Sequence, residues 1–360
     1  MKLILLKKGE TVHLRKSYIL VAILLFAGVA SAQNLPKFSG LFFGDYYYVL
    51  QHDPANTVNP TSNLGNAGAL QKDFQAFDYR RIYLTTDYDF AQDFSARFRL
   101  ESDPSASSLG AGNNSGKLSV MIKDAFINWK NVTDGGNIII GLQGTPEINM
   151  AEAIFGYRSL EKTIQDLHSI STSRDLGVSY NQKFSDQLMA GLLIANNSSN
   201  SVPNNRYKAA YLYVQVNPVK ELTILLNGQY NGVGGVTDSL NRSADVIVNY
   251  GNSDFSLGAQ YFMDGLSGRS TLKRNGLSLN GWVGLVDNLR LVARYDMYTP
   301  NADNKNVSYG TSVQNLILGA FDWSIRKNVH LMPNIEFASY GWSGVKNNDV
   351  IARATFFITF

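Results

Sequence analysis

The chain has 360 residues, 44% of them hydrophobic and 12% aromatic, with no cysteine. Disulfide scaffolds and thiolate metal sites are excluded by that last count. The formal charge is +3, but five of the 32 basic and one of the 29 acidic residues fall within the first 32 positions. The remainder holds 27 basic against 28 acidic groups, a net charge near −1, and loses the basic surplus that nucleic-acid binding requires.

The excess of positive charge has a local cause. Lys2, Lys7, Lys8, Arg15 and Lys16 precede an apolar run from Tyr18 to Ala27, followed by Ala30-Ser31-Ala32. Basic, apolar and small-residue segments in that order predict a cleaved signal peptide over residues 1–32, with Gln33 as the mature start. The run is shorter than the ~20 residues that cross a bilayer as a helix. Export by a Sec-type route follows as an expectation.

Beyond the leader the dominant period is two. Phe94, Ala96, Phe98 and Leu100 alternate with Ser95, Arg97, Arg99 and Glu101, and Leu289, Leu291, Ala293 and Tyr295 alternate with Arg290, Arg294 and Asp296. This is the pattern of strands with one apolar and one polar face. In chain order, strands are predicted at residues 38–50, 76–90, 93–103, 118–130, 137–145, 174–184, 187–196 and 206–216. The series continues at 221–231, 243–250, 254–263, 276–286, 288–298, 311–325, 328–339 and 349–360. Sixteen is an even number, and short turns such as Ser185-Asp186 alternate with long connections rich in Asn, Ser, Gly and Asp. The last strand runs to Phe360, with Val350, Ala352, Ala354, Phe356, Ile358 and Phe360 sharing one face. Even strand number, asymmetric connections and an aromatic-ended final strand together predict an all-β fold: one transmembrane up-and-down antiparallel β-barrel of about 16 strands, spanning residues 33–360. Short turns would lie on the periplasmic side and long loops outside the cell. Tyr and Trp near the segment ends suit two interface girdles.

If the apolar set faces lipid, the alternating polar set faces a lumen. Arg81, Asp87, Arg97, Arg99, Glu101, Asp124, Arg290, Arg294, Asp296, Glu336 and Arg353 are the predicted pore-lining residues. Charges of both signs along a water-filled pore orient dipolar solutes and disfavour apolar ones. The connection 146–173 is the predicted inward constriction loop. Within it Leu160, Ile164 and Leu167 stand at i, i+4 and i+7, which predicts a short helix over 159–168 capped by Ser159. That helix would offer Glu161, Lys162, Asp166 and His168 to the channel, with Arg158 beside them on the loop, opposite Arg97 and Arg99.

Signals for chemistry are sparse. His52, His168 and His330 lie at no metal-ligand spacing, and no serine stands in a nucleophile turn. Asp303 in an Asn-rich loop lacks the spacing of a calcium-binding helix–loop–helix. No cofactor and no enzymatic activity are expected.

Short motifs carry a resemblance. Phe77-Asp78-Tyr79-Arg80-Arg81-Ile82-Tyr83-Leu84 resembles a strand of the phosphate-selective porin O and P type family. Lys123-Asp124-Ala125-Phe126-Ile127-Asn128-Trp129 and Gly141-Leu142-Gln143-Gly144-Thr145-Pro146 are similar to that family's passage before its inward loop, and Leu331-Met332-Pro333-Asn334 to a late strand. The resemblance implies an outer-membrane porin passing small polar solutes or ions, embedded in outer-membrane lipids, inserted by the barrel assembly machinery and possible as a homotrimer. Phosphate selectivity in that family depends on an Arg ladder and a Lys cluster. Here the loop sets Glu147, Glu152, Glu161 and Asp166 against Arg158 and Lys162. The competing expectation is a structural or adhesive barrel with a closed lumen, acting through its extracellular loops.

Overall fold

The computed structural model describes residues 35–54, 71–103, 120–203, 206–233, 239–267, 272–302, 313–341 and 347–360. The leader and the Asp303 loop lie outside the described residues. Sixteen antiparallel strands form a closed barrel. They are β1 (Lys37–Gln51), β2 (Gln75–Ala91), β3 (Phe94–Ser102), β4 (Met121–Thr133), β5 (Gly136–Gly144), β6 (Arg174–Lys183), β7 (Leu188–Ala195) and β8 (Ala209–Val219). The second half comprises β9 (Leu222–Val233), β10 (Ser239–Gly251), β11 (Phe255–Ser267), β12 (Leu272–Val286), β13 (Leu289–Thr299), β14 (Val313–Arg326), β15 (Val329–Tyr340) and β16 (Asp349–Thr359). All sixteen expected segments are present. Their ends differ by as much as four residues, as at Ser239 and Leu272, because ladder hydrogen bonds continue past the apolar stretch into polar residues.

Closure pairs the first strand with the last. β1 pairs with β16 from Leu41↔Thr359 to Gln51↔Val350. Gly40 and Phe360 exchange backbone hydrogen bonds at 2.7 and 3.0 Å. The Phe360 ring lies over Gly40, where a β-carbon would stand 2.1 Å from its Cζ, so only glycine lets the terminal aromatic settle there. Each strand thus has two partners, and no backbone edge is left open, as a low-dielectric surround demands.

Outward positions carry a continuous apolar belt. Ile140, Leu212, Leu257, Met263 and Ile317 are each at least half exposed, on a scale no water-facing surface of one domain sustains. In the last strand Val350, Ala352, Ala354, Phe356 and Ile358 alternate with inward Ile351, Arg353 and Thr355, which are buried.

Candidate functional site

Two backbone irregularities build the charged wall. Phe43 pairs with Arg81 while Gly44 pairs with Tyr79, so Arg80 is an extra residue in β2. Arg99 pairs with Asp124 while Leu100 pairs with Ile122, so Lys123 is extra in β4. A β-bulge of this kind resets the alternation. Arg80 and Arg81, and likewise Lys123 and Asp124, therefore all turn inward and are buried.

Arg81 and Lys123 share one carboxylate, and Asp124 joins two arginines. Arg81 Nε meets Glu101 Oε1 at 3.0 Å, and Lys123 Nζ meets Glu101 Oε2 at 2.9 Å. Asp124 takes Arg99 at 3.1 Å and Arg174 at 2.5 Å, and Arg97 grips Asp87 through two bonds of 2.7 and 2.9 Å. Tyr83 lies between the guanidinium groups of Arg81 and Arg99, at 5.7 and 5.0 Å from its ring centre. Beside Tyr83, Thr85 and Arg99 opens a cavity of about 660 Å³ that reaches Leu41 and Lys327. Farther round, Arg353 joins Asp45 at 2.8 Å and Glu336 at 3.2 Å, and Arg294 pairs with Asp296 at 2.5 Å.

The segment between β5 and β6 folds across the inner wall. It begins with α1 (Pro146–Phe155), a ten-residue helix, rather than the expected helix over 159–168. Thr145 has an extended backbone, Pro146 opens the first turn, Glu147 favours the positive helix end, and Gly156 closes it in the left-handed region at φ 76°. A second element, α2 (Ile164–Leu167), is only four residues long, and Ser159 caps nothing. Leu160, Ile164 and Leu167 do not share a helical face. Leu160 packs with Tyr157, Val292, Leu318, Ala320 and Met332; Ile164 with Ile170, Phe262 and Tyr298; Leu167 against Leu316 and Ala338. Each apolar residue docks on its own stretch of wall, which is why β13–β15 carry apolar residues on both faces there.

Polar contacts fix the same path. Asn149 bonds Ser173 O at 2.8 Å and accepts from Arg174 at 2.6 Å, closing the base of the loop. Arg80, fully buried, donates to the carbonyls of Leu160 at 2.6 Å and of Ser159, while its Nε holds Asp45 at 2.7 Å. Arg294 donates to Lys162 O at 2.5 Å, and Tyr157 to Asp322 at 3.0 Å.

The expected pore-lining residues thus divide. Asp87, Arg97 and Arg99 remain partly exposed and Arg290 is exposed, its guanidinium 3.9 Å from the Trp282 ring centre. Arg81, Glu101, Asp124, Arg294, Asp296, Glu336 and Arg353 are buried, locked in ion pairs with one another or with neighbours. On the loop, Glu161 is buried, whereas Arg158, Lys162, Asp166 and His168 are partly accessible. Arg158 binds Glu152 at 2.7 Å and Asp166 at 3.7 Å. Burial raises the cost of the Asp166 charge, but Lys162, Arg158, Arg81 and Lys123 outweigh it and hold the carboxyl below the usual range. The wall cations facing this carboxylate are Arg81 and Lys123, in place of the expected Arg97 and Arg99. His168 stacks on Tyr298 at 3.7 Å and 12°. Burial, with Arg294 and Arg274 nearby, pushes its pKa down to about 3. Among the described residues no three His, Asp or Glu side chains converge as a metal site.

No protein family matches the sequence, and no curated protein does. Solved structures do match in fold. An anion-selective porin from Comamonas acidovorans superposes with a TM-score of 0.63 at 13% identity, covering 91% of this chain and 99% of that one. The outer membrane channel DcaP of Acinetobacter baumannii gives 0.63 at 13% identity, covering 90% and 97%. OmpT, an outer membrane protein of Vibrio cholerae, in a trimer form gives 0.56 at 13%, covering 91% and 99%. The chain has the sixteen-stranded fold of outer-membrane porins.

Proposed function

We propose that the chain is an outer-membrane channel through which small hydrophilic solutes or ions diffuse passively, with no catalysis and no cofactor. The observation that carries this reading is the loop folded against the inner wall of a closed barrel, setting Glu152, Arg158, Lys162 and Asp166 across from Arg81 and Lys123. Opposed charges across a narrow aqueous gap give a transverse field that favours dipolar, hydrated solutes.

The same wall speaks against phosphate selectivity. Arg80, Arg81, Arg97, Arg99, Lys123 and Arg174 each have a carboxylate partner within 3.1 Å. Paired cations leave no ladder of net positive charge for an anion to descend, so weak ion selectivity fits better. The outer apolar belt suits outer-membrane lipids as surroundings, with delivery to the barrel assembly machinery after Sec-type export. A homotrimer is the assembly we propose. Purified protein in a planar bilayer should give stepwise conductance that scales with salt concentration, and its absence would refute the reading.

A specific observation supports the competing reading of a structural or adhesive barrel. Arg294, Asp296, Glu336 and Arg353 are all 4% exposed or less beside the loop, which fills that side of the lumen. Under this reading liposomes carrying the protein would stay impermeable to sugars and salts alike.

A further inference from the structure

Behind α1, the wall of β9–β11 buries more negative charge than it neutralises. Glu147 in the first turn of α1, Asp245 on β10 and Asp264 on β11 are all 5% exposed or less. Among the described residues only Asp264 has a basic partner, Arg274 at 2.5 Å. Glu147 and Asp245 repel one another and are surrounded by neutral groups. Ser243 donates to Glu147 Oε1 at 2.7 Å, and the Gln165 amide donates to the same oxygen. Gln260 joins Gln165 at 2.6 Å and reaches Asp245 Oδ2 at 3.3 Å.

The other oxygen of each carboxylate, Glu147 Oε2 and Asp245 Oδ1, is shut from solvent with no hydrogen bond. Asn227 stands directly across from Asp245 in the β9–β10 register. It is 6% exposed, and its amide lies against the Asp245 carboxylate, leaving its own oxygen without a donor. Three oxygens of the kinds that hard cations take, two carboxylate and one amide carbonyl, are thus buried without a donor on adjoining elements, the first turn of α1 and the facing positions of β9 and β10. Burying unpaired carboxylates is costly unless a counter-charge accompanies them. A shared proton would answer one carboxylate and leave the Asn227 oxygen idle. A divalent ion matches both charges and uses all three.

We propose that Glu147, Asp245 and Asn227 bind one divalent cation of the calcium type, which fastens α1 to the barrel wall. Its donors come from the loop and from two strands, so the bound ion cross-links segments far apart in sequence. The site lies behind the loop, away from the Asp166–Arg81 gap, and its existence does not depend on conduction.

The test uses the full chain folded in detergent, stripped with EDTA and titrated with calcium chloride by isothermal calorimetry, with thermal unfolding measured in parallel. Wild-type protein should bind calcium and unfold at a higher temperature when loaded. Asp245→Asn and Glu147→Gln should abolish both effects while still folding, since each relieves repulsion, and Asn227→Ala should weaken binding at least tenfold. Calcium binding unchanged in all three variants would place the ion elsewhere and overturn the proposal. No calcium heat from wild type, with Asp245→Asn raising the unfolding temperature in EDTA, would assign a shared proton to the pair and overturn it equally.

Discussion

Arg80→Ala should release the inward loop without opening the barrel. Arg80 reaches two loop carbonyls, Ser159 O and Leu160 O, and the Asp45 carboxylate, all in a buried setting. Asp45 keeps Arg353 at 2.8 Å after the change, so the wall pair survives. The two carbonyls lose their donors, at about 1–3 kcal/mol each when a buried acceptor is left unmade. Water entering the space of the truncated side chain recovers part, leaving a net loss of about 2–4 kcal/mol for the docked loop. At 1.4 kcal/mol per tenfold, the released population rises roughly 30- to 700-fold. Trypsin reads this directly, because Arg158 and Lys162 flank the clamped carbonyls and are partly accessible only within the docked loop. Cleavage at both should accelerate, and bilayer recordings should show added excursions to a larger conductance. Arg80→Lys should fall between, since an ammonium keeps the charge facing Asp45 but cannot fork across two carbonyls. A properly folded Arg80→Ala barrel with wild-type cleavage rates and unchanged current traces would refute the clamp.

Four further outcomes follow from the same geometry. Glu101→Gln leaves Arg81 and Lys123 without their shared carboxylate. Reversal potentials under a salt gradient should then shift toward anions, an effect fading near 1 M salt, where the Debye length is about 3 Å. Gly40→Leu would drive a side chain into the Phe360 ring, costing about 1–3 kcal/mol and lowering the urea midpoint of unfolding. Leu257→Arg puts a charge on the outer face at a position 62% exposed; a cost of about 2–4 kcal/mol is expected if it sits at mid-bilayer, read from folding equilibria in lipid. His168 has a folded pKa of about 3 against an ordinary 6.5, so its contribution is fully present above pH 6.5 and lost as pH falls toward 3. The slope is at most about 1.4 kcal/mol per pH unit, and His168→Phe, which keeps a ring against Tyr298, should remove that part of the pH dependence between pH 7 and 4.

The barrel was legible in the sequence because lipid imposes a rule on every second residue. Phe94, Ala96, Phe98 and Leu100 face outward, and their alternates Arg97, Arg99 and Glu101 inward, with no help from distant contacts. The loop was half legible. Thr145-Pro146-Glu147 with Gly156 marks a helix start and stop, which α1 obeys. The spacing of Leu160, Ile164 and Leu167 pointed to a helix one stretch too late, because apolar residues at helical spacing also arise when an irregular segment docks on several patches of wall. β14 held the complementary signal. Leu316, Leu318 and Ala320 are apolar between apolar outward residues, a break in the alternation that marks wall covered from inside.

The bulges were the least legible feature, and they decide the site. Strict alternation puts Arg81 in the lumen and thereby Arg80 in lipid, and does the same to Lys123 beside Asp124. A charge at mid-bilayer on a barrel's outer face costs about 2–4 kcal/mol, so two adjacent charged residues within one membrane strand cannot both be accommodated by a regular pleat. Either one snorkels to an interface or the backbone slips by a residue. Here the slip occurs at both places. It delivers Arg80 to the loop carbonyls and Lys123 to Glu101, contacts that no in-register strand could make. At Arg80-Arg81 and Lys123-Asp124 the adjacent charges coincide with a bulge, whereas Lys273-Arg274 near the start of β12 keep regular register, and the residues at those two bulges are the ones aimed at what fills the lumen.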